Sequence, residues 1–221
     1  MNMKTFWRVL ILSAFTFHNS NAQTFLEPFT GYQRSLNNQP SFAQVNAGIQ
    51  VAFKTSDRYE LLVQLQKNLP LTLEGSDSAF TPNSSLPLFA SAQKSIKPSG
   101  FSIVLGHRFK VTDHKKAGVL SILLQTGFTT QTIKVNYDYD KSNYTVLNPD
   151  RTLSKDGIFI GAGVEYMRTI KTGRLFAQLT VATEPLSRST DYPSSFNFIA
   201  PLALNVGYSF LIKTKHEKKT I

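Results

Sequence analysis

The chain contains no cysteine, so no disulfide can hold it together. Beyond residue 22 it has no apolar run approaching the ~20 residues that a membrane-crossing helix needs. Trp7 is its only tryptophan. Acidic side chains are scarce, 14 Asp and Glu against 24 Lys and Arg, and none lies in residues 1–22. The positive surplus does not point to nucleic acid. It is spread over turns and a C-terminal tail, and no recognition helix or base-stacking motif accompanies it.

What the N-terminus does contain is an export signal. Lys4 and Arg8 form a charged region, Val9 to Phe17 an apolar stretch too short to span as a helix, and Ser20-Asn21-Ala22 a small-x-small cleavage site. Residues 1–22 therefore read as a cleaved signal peptide, with Gln23 as the first residue of a mature chain of net charge +8, because Lys4 and Arg8 leave with the signal. The mature chain is long enough for one sizeable domain. The mean hydropathy of −0.15 suits a membrane barrel, in which only alternate residues face lipid.

The dominant pattern is alternation with period two. In residues 42–54 the odd positions Val45, Ala47, Ile49, Val51 and Phe53 are apolar, whereas Gln44, Asn46, Gly48, Gln50 and Lys54 lie between them. In 58–67 Tyr59, Leu61, Val63 and Leu65 alternate with Arg58, Glu60, Gln64 and Gln66. Successive side chains on a strand point to opposite faces, so these are two strands, and the short polar connector makes them a hairpin. Similar runs occur at 24–34, 100–111, 117–128, 157–168, 174–183 and 202–210, for a total of eight. The connectors alternate in length. Those at 55–57, 112–116 and 169–173 are short; those at 68–99, 136–156 and 184–200 are long; and 35–41 joins the long set by parity. An even number of antiparallel strands with short turns at one end and long loops at the other predicts an all-β, eight-stranded, up-and-down transmembrane β-barrel. Its short turns would be periplasmic and its long loops extracellular. Aromatics support this. Phe53, Tyr59, Phe109, Tyr166, Tyr208 and Phe210 gather on the apolar face near the short turns, and Tyr32, Phe101 and Phe128 near the other end, as interfacial girdles do.

Over residues 24–213 this pattern resembles the small eight-stranded outer-membrane barrels of the OmpA- and OmpX-like kind. The last strand, Leu204-Asn205-Val206-Gly207-Tyr208-Ser209-Phe210, is similar to the C-terminal strand that barrel-assembly machinery reads, although here the chain continues to Ile221. The resemblance implies a Gram-negative outer membrane as the location. It also implies membrane lipid, lipopolysaccharide and the assembly machinery as partners, and no cofactor. The expected organisation is a signal peptide at 1–22, a barrel at 23–213 and a basic periplasmic tail at 214–221.

The polar face gathers charge near the short turns: Glu27, Lys54, Arg58, Glu60, Arg108, Lys110 and Glu165, with Arg174 a candidate beside them. Eight strands enclose an interior just wide enough to be filled by side chains. The expectation is a closed lumen with an ionic network at its periplasmic end. Gly48, Gly106, Gly127, Gly161, Gly163 and Gly207 share that inward face and leave room for long neighbours. Past Phe128 the apolar positions switch phase to Ile133, Val135 and Tyr137. Either a bulge near 129–131 or a strand rising above the membrane would do this, and the Thr-, Gln- and Asn-rich composition favours the second.

Function would then sit on the loops. The 68–99 connector mixes apolar residues with Ser and Pro and reads equally as a partner-binding or a mobile segment. The 136–156 connector carries several Asp whose oxygens are of the type that holds calcium, but the EF-hand spacing is absent. Enzyme signals are weak. His107 falls on the lipid-facing side, where lipid A deacylase barrels pair a His with a Ser two residues away, but residue 109 is Phe. The basic tail reads as solvated. The leading reading is a non-enzymatic outer-membrane protein acting through its extracellular loops on an unidentified ligand. The alternatives are a small porin, a lipid-modifying barrel enzyme, and a secreted lipocalin-like carrier, in which the apolar face would point inward around a ligand.

Overall fold

A computed structural model describes residues 23–35, 43–112, 118–147, 150–189 and 201–212. The expected signal peptide, the basic tail, His114, His216 and most of the 35–41 and 184–200 connectors lie outside them. The described residues form ten strands: β1 (Gln23–Ser35), β2 (Ala43–Lys54), β3 (Tyr59–Pro70), β4 (Leu73–Phe80), β5 (Phe89–Lys110), β6 (Val119–Asp138), β7 (Thr145–Val146), β8 (Arg151–Ile170), β9 (Gly173–Ser189) and β10 (Pro201–Ile212).

Eight of them close a ring. Each pairs antiparallel with its neighbours in the order β1, β2, β3, β5, β6, β8, β9, β10, and β10 returns to β1 through pairs such as Tyr32 with Leu204. Closure leaves no unpaired edge in the ring, which is what allows a sheet to stand in hydrocarbon. The polar face is inside. Glu27, Asn46, Gln50, Glu60, Arg108, Glu165 and Gln178 are at most 1% exposed. Ile122, Leu124, Val164, Leu204 and Val206 are about half exposed and form an apolar belt around the outside. A lipocalin-like arrangement has the opposite sense and does not describe this chain.

Glycines serve the ring where a bulky lumen side chain lies across them. A Cβ at Gly127 would collide with the ring of Phe159, and one at Gly207 with the ring of Phe176. Each phenylalanine covers the backbone of the strand beside it and fills space the glycine leaves.

Four strands run well past the belt, and this corrects the expected boundaries. β5 begins at Phe89 rather than near residue 100, β6 continues to Asp138, β8 begins at Arg151 and β9 reaches Ser189. The 68–99 connector is therefore no structureless loop. β4 pairs with the upper half of β5 from Leu73 with Ile96 to Phe80 with Phe89, while the lower half of β5 pairs with β3. β7 adds a short rung against the end of β4. Together these segments form a lobe above the belt with its own core of Ala79, Ala92, Ile96, Ile133, Val135, Tyr137, Val146 and Leu153.

The phase change in β6 is not a bulge. Its pairing with β5 and β8 runs without interruption across residues 129–131. Ile133, Val135 and Tyr137 point the same way as Ser121, Gln125 and Thr129. The strand has risen out of the belt, and its inward face now closes on a water-excluding core. The register shift that does occur lies between β8 and β9, at Ile158–Ile160.

Candidate functional site: the ionic centre of the lumen

Alternation points Glu27 of β1, Glu60 of β3, Arg108 of β5, Glu165 of β8 and Arg174 of β9 into the lower lumen. Register sets them at one level. Arg108 lies directly across from Glu60, Gln50 across from Glu27, and Gln178 across from Glu165. The Arg108 guanidinium touches all three carboxylates, with Nη2 at 2.8 Å from Glu27, Nη1 at 2.5 Å from Glu60 and Nε at 2.7 Å from Glu165. All four side chains are fully buried.

Two further cations complete the cluster. Lys110 Nζ sits 2.9 Å from Glu60. Arg174 lies 3.3 Å from both Glu27 and Glu60, donates to Ser209 Oγ, and stacks its guanidinium 3.7 Å above the ring of Phe25. Three carboxylates thus meet three cations, and the lumen carries no net charge at this level. Gln50 donates to Glu27 Oε2 and Gln178 to Glu165 Oε2, the oxygens that Arg108 Nη2 also reaches. Burying such ions is tolerable only when each is paired and hydrogen-bonded, and that condition is met here.

Two residues expected in this network are elsewhere. Lys54 turns to Asp57 three residues on, at 2.8 Å, and Arg58 is exposed in the same turn. Both lie where β2 gives way to β3, and alternation no longer dictates direction once the chain leaves the ring. The amide partners Gln50 and Gln178 and the hydroxyl of Ser209 had a signal in the sequence, since they share the inward parity. Their level required the register.

Above the ionic centre the lumen is lined by amides. On β3, Gln64 donates to Gln66 at 2.8 Å and Gln66 to Asn68 at 2.7 Å. The space between these and Gln125, Gln131 and Asn205 is a polar cavity of only about 50 Å³. Beside the centre on the same strands, Phe29, Met167 and Phe176 form one apolar cluster, and Ala52, Leu62 and Leu123 another.

The girdle residues stand on the outside near the short turns. Tyr59 packs against Phe109 with ring centroids 5.2 Å apart, and Tyr208 against Phe210 at 4.4 Å. Tyr166 is 46% exposed, and Phe53 is half-buried. His107 is part of this belt. Its ring stacks beside Tyr59, whose hydroxyl lies 2.6 Å from Nδ1.

No protein-family model and no curated protein matches this sequence. Solved structures do. The crystal structure of Neisserial surface protein A superposes with a TM-score of 0.51 at 10% identity, over 87% of this chain and 100% of the other. A major outer membrane protein from Thermus thermophilus superposes with a TM-score of 0.52 at 10% identity, over 86% of this chain and 99% of that one. The fold is that of the small outer-membrane β-barrels. The ring, the outward apolar belt and the polar lumen agree with it.

Proposed function

We propose that this protein is exported by a cleaved signal peptide to a bacterial outer membrane, stands there as a closed barrel, and works through the lobe it holds outside the cell. The observation that carries this reading is the lobe itself. Strands β5, β6 and β8 continue from the lipid belt into a domain with its own buried core, so the external surface is built on rigid strands rather than on loose connectors. Leu88, Phe89 and Leu147 are 62%, 64% and 82% exposed on it. Apolar groups this far from the belt suit contact with another macromolecule. The role is structural or adhesive, with lipopolysaccharide around the barrel and an unidentified ligand on the lobe.

A closed lumen and the absence of catalysis belong to the same proposal. The neutral ionic centre and the apolar clusters packed beside it support closure, and His107, engaged with an aromatic belt and lacking a serine two residues away, supports a non-enzymatic role. Two measurements test the reading. Purified protein in planar bilayers is expected to give no reproducible conductance steps; large uniform steps would make it a porin. Replacing residues 73–96 by a short turn is expected to leave the heat-dependent gel migration of a folded barrel intact while abolishing attachment of the expressing cells to surfaces. Unchanged attachment would remove the lobe from the function.

A further inference from the structure

The outer wall of the barrel is notched at its short-turn end. A groove of about 680 Å³ opens toward the membrane across β1, β10, β9 and β8, with an almost wholly apolar lining. Register explains it. One outward row runs Tyr166, Ala177, Val206, Thr30, and the row nearer the short turns runs Arg168, Leu175, Tyr208, with Pro28 beside them. Ala177, Thr30 and Pro28 are small where most outward belt positions carry Leu, Ile, Val or an aromatic ring, so the wall is hollow there. Tyr166 and Tyr208 border it, and Gly207 lets the chain lie close behind.

The chemistry changes at the edge of the groove that faces the short turns. Arg168 lies exposed on that edge and Lys171 follows in the adjoining turn, whereas the segment from Arg168 to Arg174 contains no carboxylate. Neither cation has an ion-pair partner among the described residues. An apolar slot that ends at exposed cations at the depth of an interface matches a molecule with an acyl chain and a phosphate.

We propose that this groove holds one glycerophospholipid of the periplasmic leaflet, an acyl chain lying over Ala177 and Thr30 and the phosphate against Arg168. The proposal rests on the membrane reading above, and its test separates the two. Native mass spectrometry of the full protein, extracted in mild detergent and mixed with palmitoyl-oleoyl phosphatidylglycerol, should show one lipid retained per barrel. Ala177→Phe fills the groove and should reduce retention at least tenfold; Ala177→Leu is the smaller filling if Phe blocks assembly. Arg168→Gln should reduce it several-fold. Val164→Phe, on the same outer wall but outside the groove, should leave it unchanged. Equal retention in Ala177→Phe and the parent, equal loss in Val164→Phe, or a barrel dimer disrupted by Ala177→Phe in place of the lipid adduct would overturn the assignment. Heat-dependent migration is read on every variant. A barrel that shifts on heating yet retains no lipid defeats this site alone, and a chain that never shifts defeats the membrane reading.

Discussion

The lower barrel and the extracellular lobe are made from the same strands with opposite polarity. In β6, the outward residues Ile122 and Leu124 are 47% exposed, and the inward Ser121, Thr129 and Gln131 are buried. Higher on the same strand Lys134, Asn136 and Asp138 face out, and Ile133, Val135 and Tyr137 are buried. The backbone phase never changes; the surroundings do. In the belt the apolar medium is outside, so hydrocarbon side chains satisfy it there and the lumen is left to amides and paired ions. In the lobe water is outside, and hydrocarbon turns inward to escape it. Alternation therefore identifies a strand and its two faces. Which face is the interior is decided by the solvent at that height.

The sharpest way to break this contrast is at the ionic centre. Arg108→Met leaves Glu27, Glu60 and Glu165 buried with only Lys110 and Arg174 to compensate them, and removing one member of a buried ionic group costs about 3–5 kcal/mol. Urea titration of folding into detergent micelles should show a loss of that size. A loss below about 1 kcal/mol would mean that the carboxylates are hydrated or neutral and that the centre is not a close-packed element. The lobe should fail differently. Ile133→Ala removes a fully buried side chain from its core, for about 2–4 kcal/mol. Because the belt strands are paired independently, limited proteolysis should then cut within residues 73–96 while the heat-shifted barrel band persists. Loss of both together would show that lobe and barrel fold as one unit.

Outward positions sharpen the comparison further. Leu124→Arg places a charge in the lipid belt, at about 2–4 kcal/mol near the bilayer midplane and less toward its edges. Lys134→Leu, ten residues along the same strand on the same face, should change stability by no more than about 0.5 kcal/mol. Equal costs at the two sites would place the membrane boundary elsewhere.

How much of this was legible follows from the same physics. The eight ring strands could be read because the lipid belt forces apolar residues onto every second position for a full membrane crossing, and the lumen forces polar ones between them. The ionic centre was legible through Glu27, Glu60, Arg108, Lys110 and Glu165, which share inward parity. Lys54 and Arg58 were misplaced because they sit at a turn, where parity lapses. The lobe was obscured for a different reason. Apart from Leu73 and Ile96, the positions on the core-side face of β4 and β5 are small or charged: Gly75, Asp77, Ala79, Ala92 and Lys94. Lys94 is held on that face, part-exposed, by Tyr137, whose ring centroid is 5.6 Å from Nζ, and by Asp77 at 3.8 Å. A lysine on an inward face breaks the alternation that a sequence reader counts, and only the fold shows its partners.

The smallest expected effect lies at the far end of the lobe, where acidic oxygens organise the turn through hydrogen bonds. Asp140 accepts from the backbone and side chain of Ser142 and from Asn143. Asp150 accepts from Lys141 Nζ at 2.9 Å and from the backbone N–H of Tyr137 at 2.6 Å. The lysine, and after it the Tyr137 amide, hold the Asp150 carboxyl below the ordinary aspartate range. A carboxylate whose value is lower in the folded state stabilises that state above its unfolded value, and the contribution fades as pH falls through the folded one. The site is exposed, so the effect is small and screened by salt. Hydrogen exchange at the Tyr137 amide should be faster, relative to its intrinsic rate, at pH 3 than at pH 6 in the parent, and Asp150→Asn should remove most of that difference. The same pH dependence in the variant would assign it to Asp140 instead and leave the Lys141 contact without a role in holding the lobe closed.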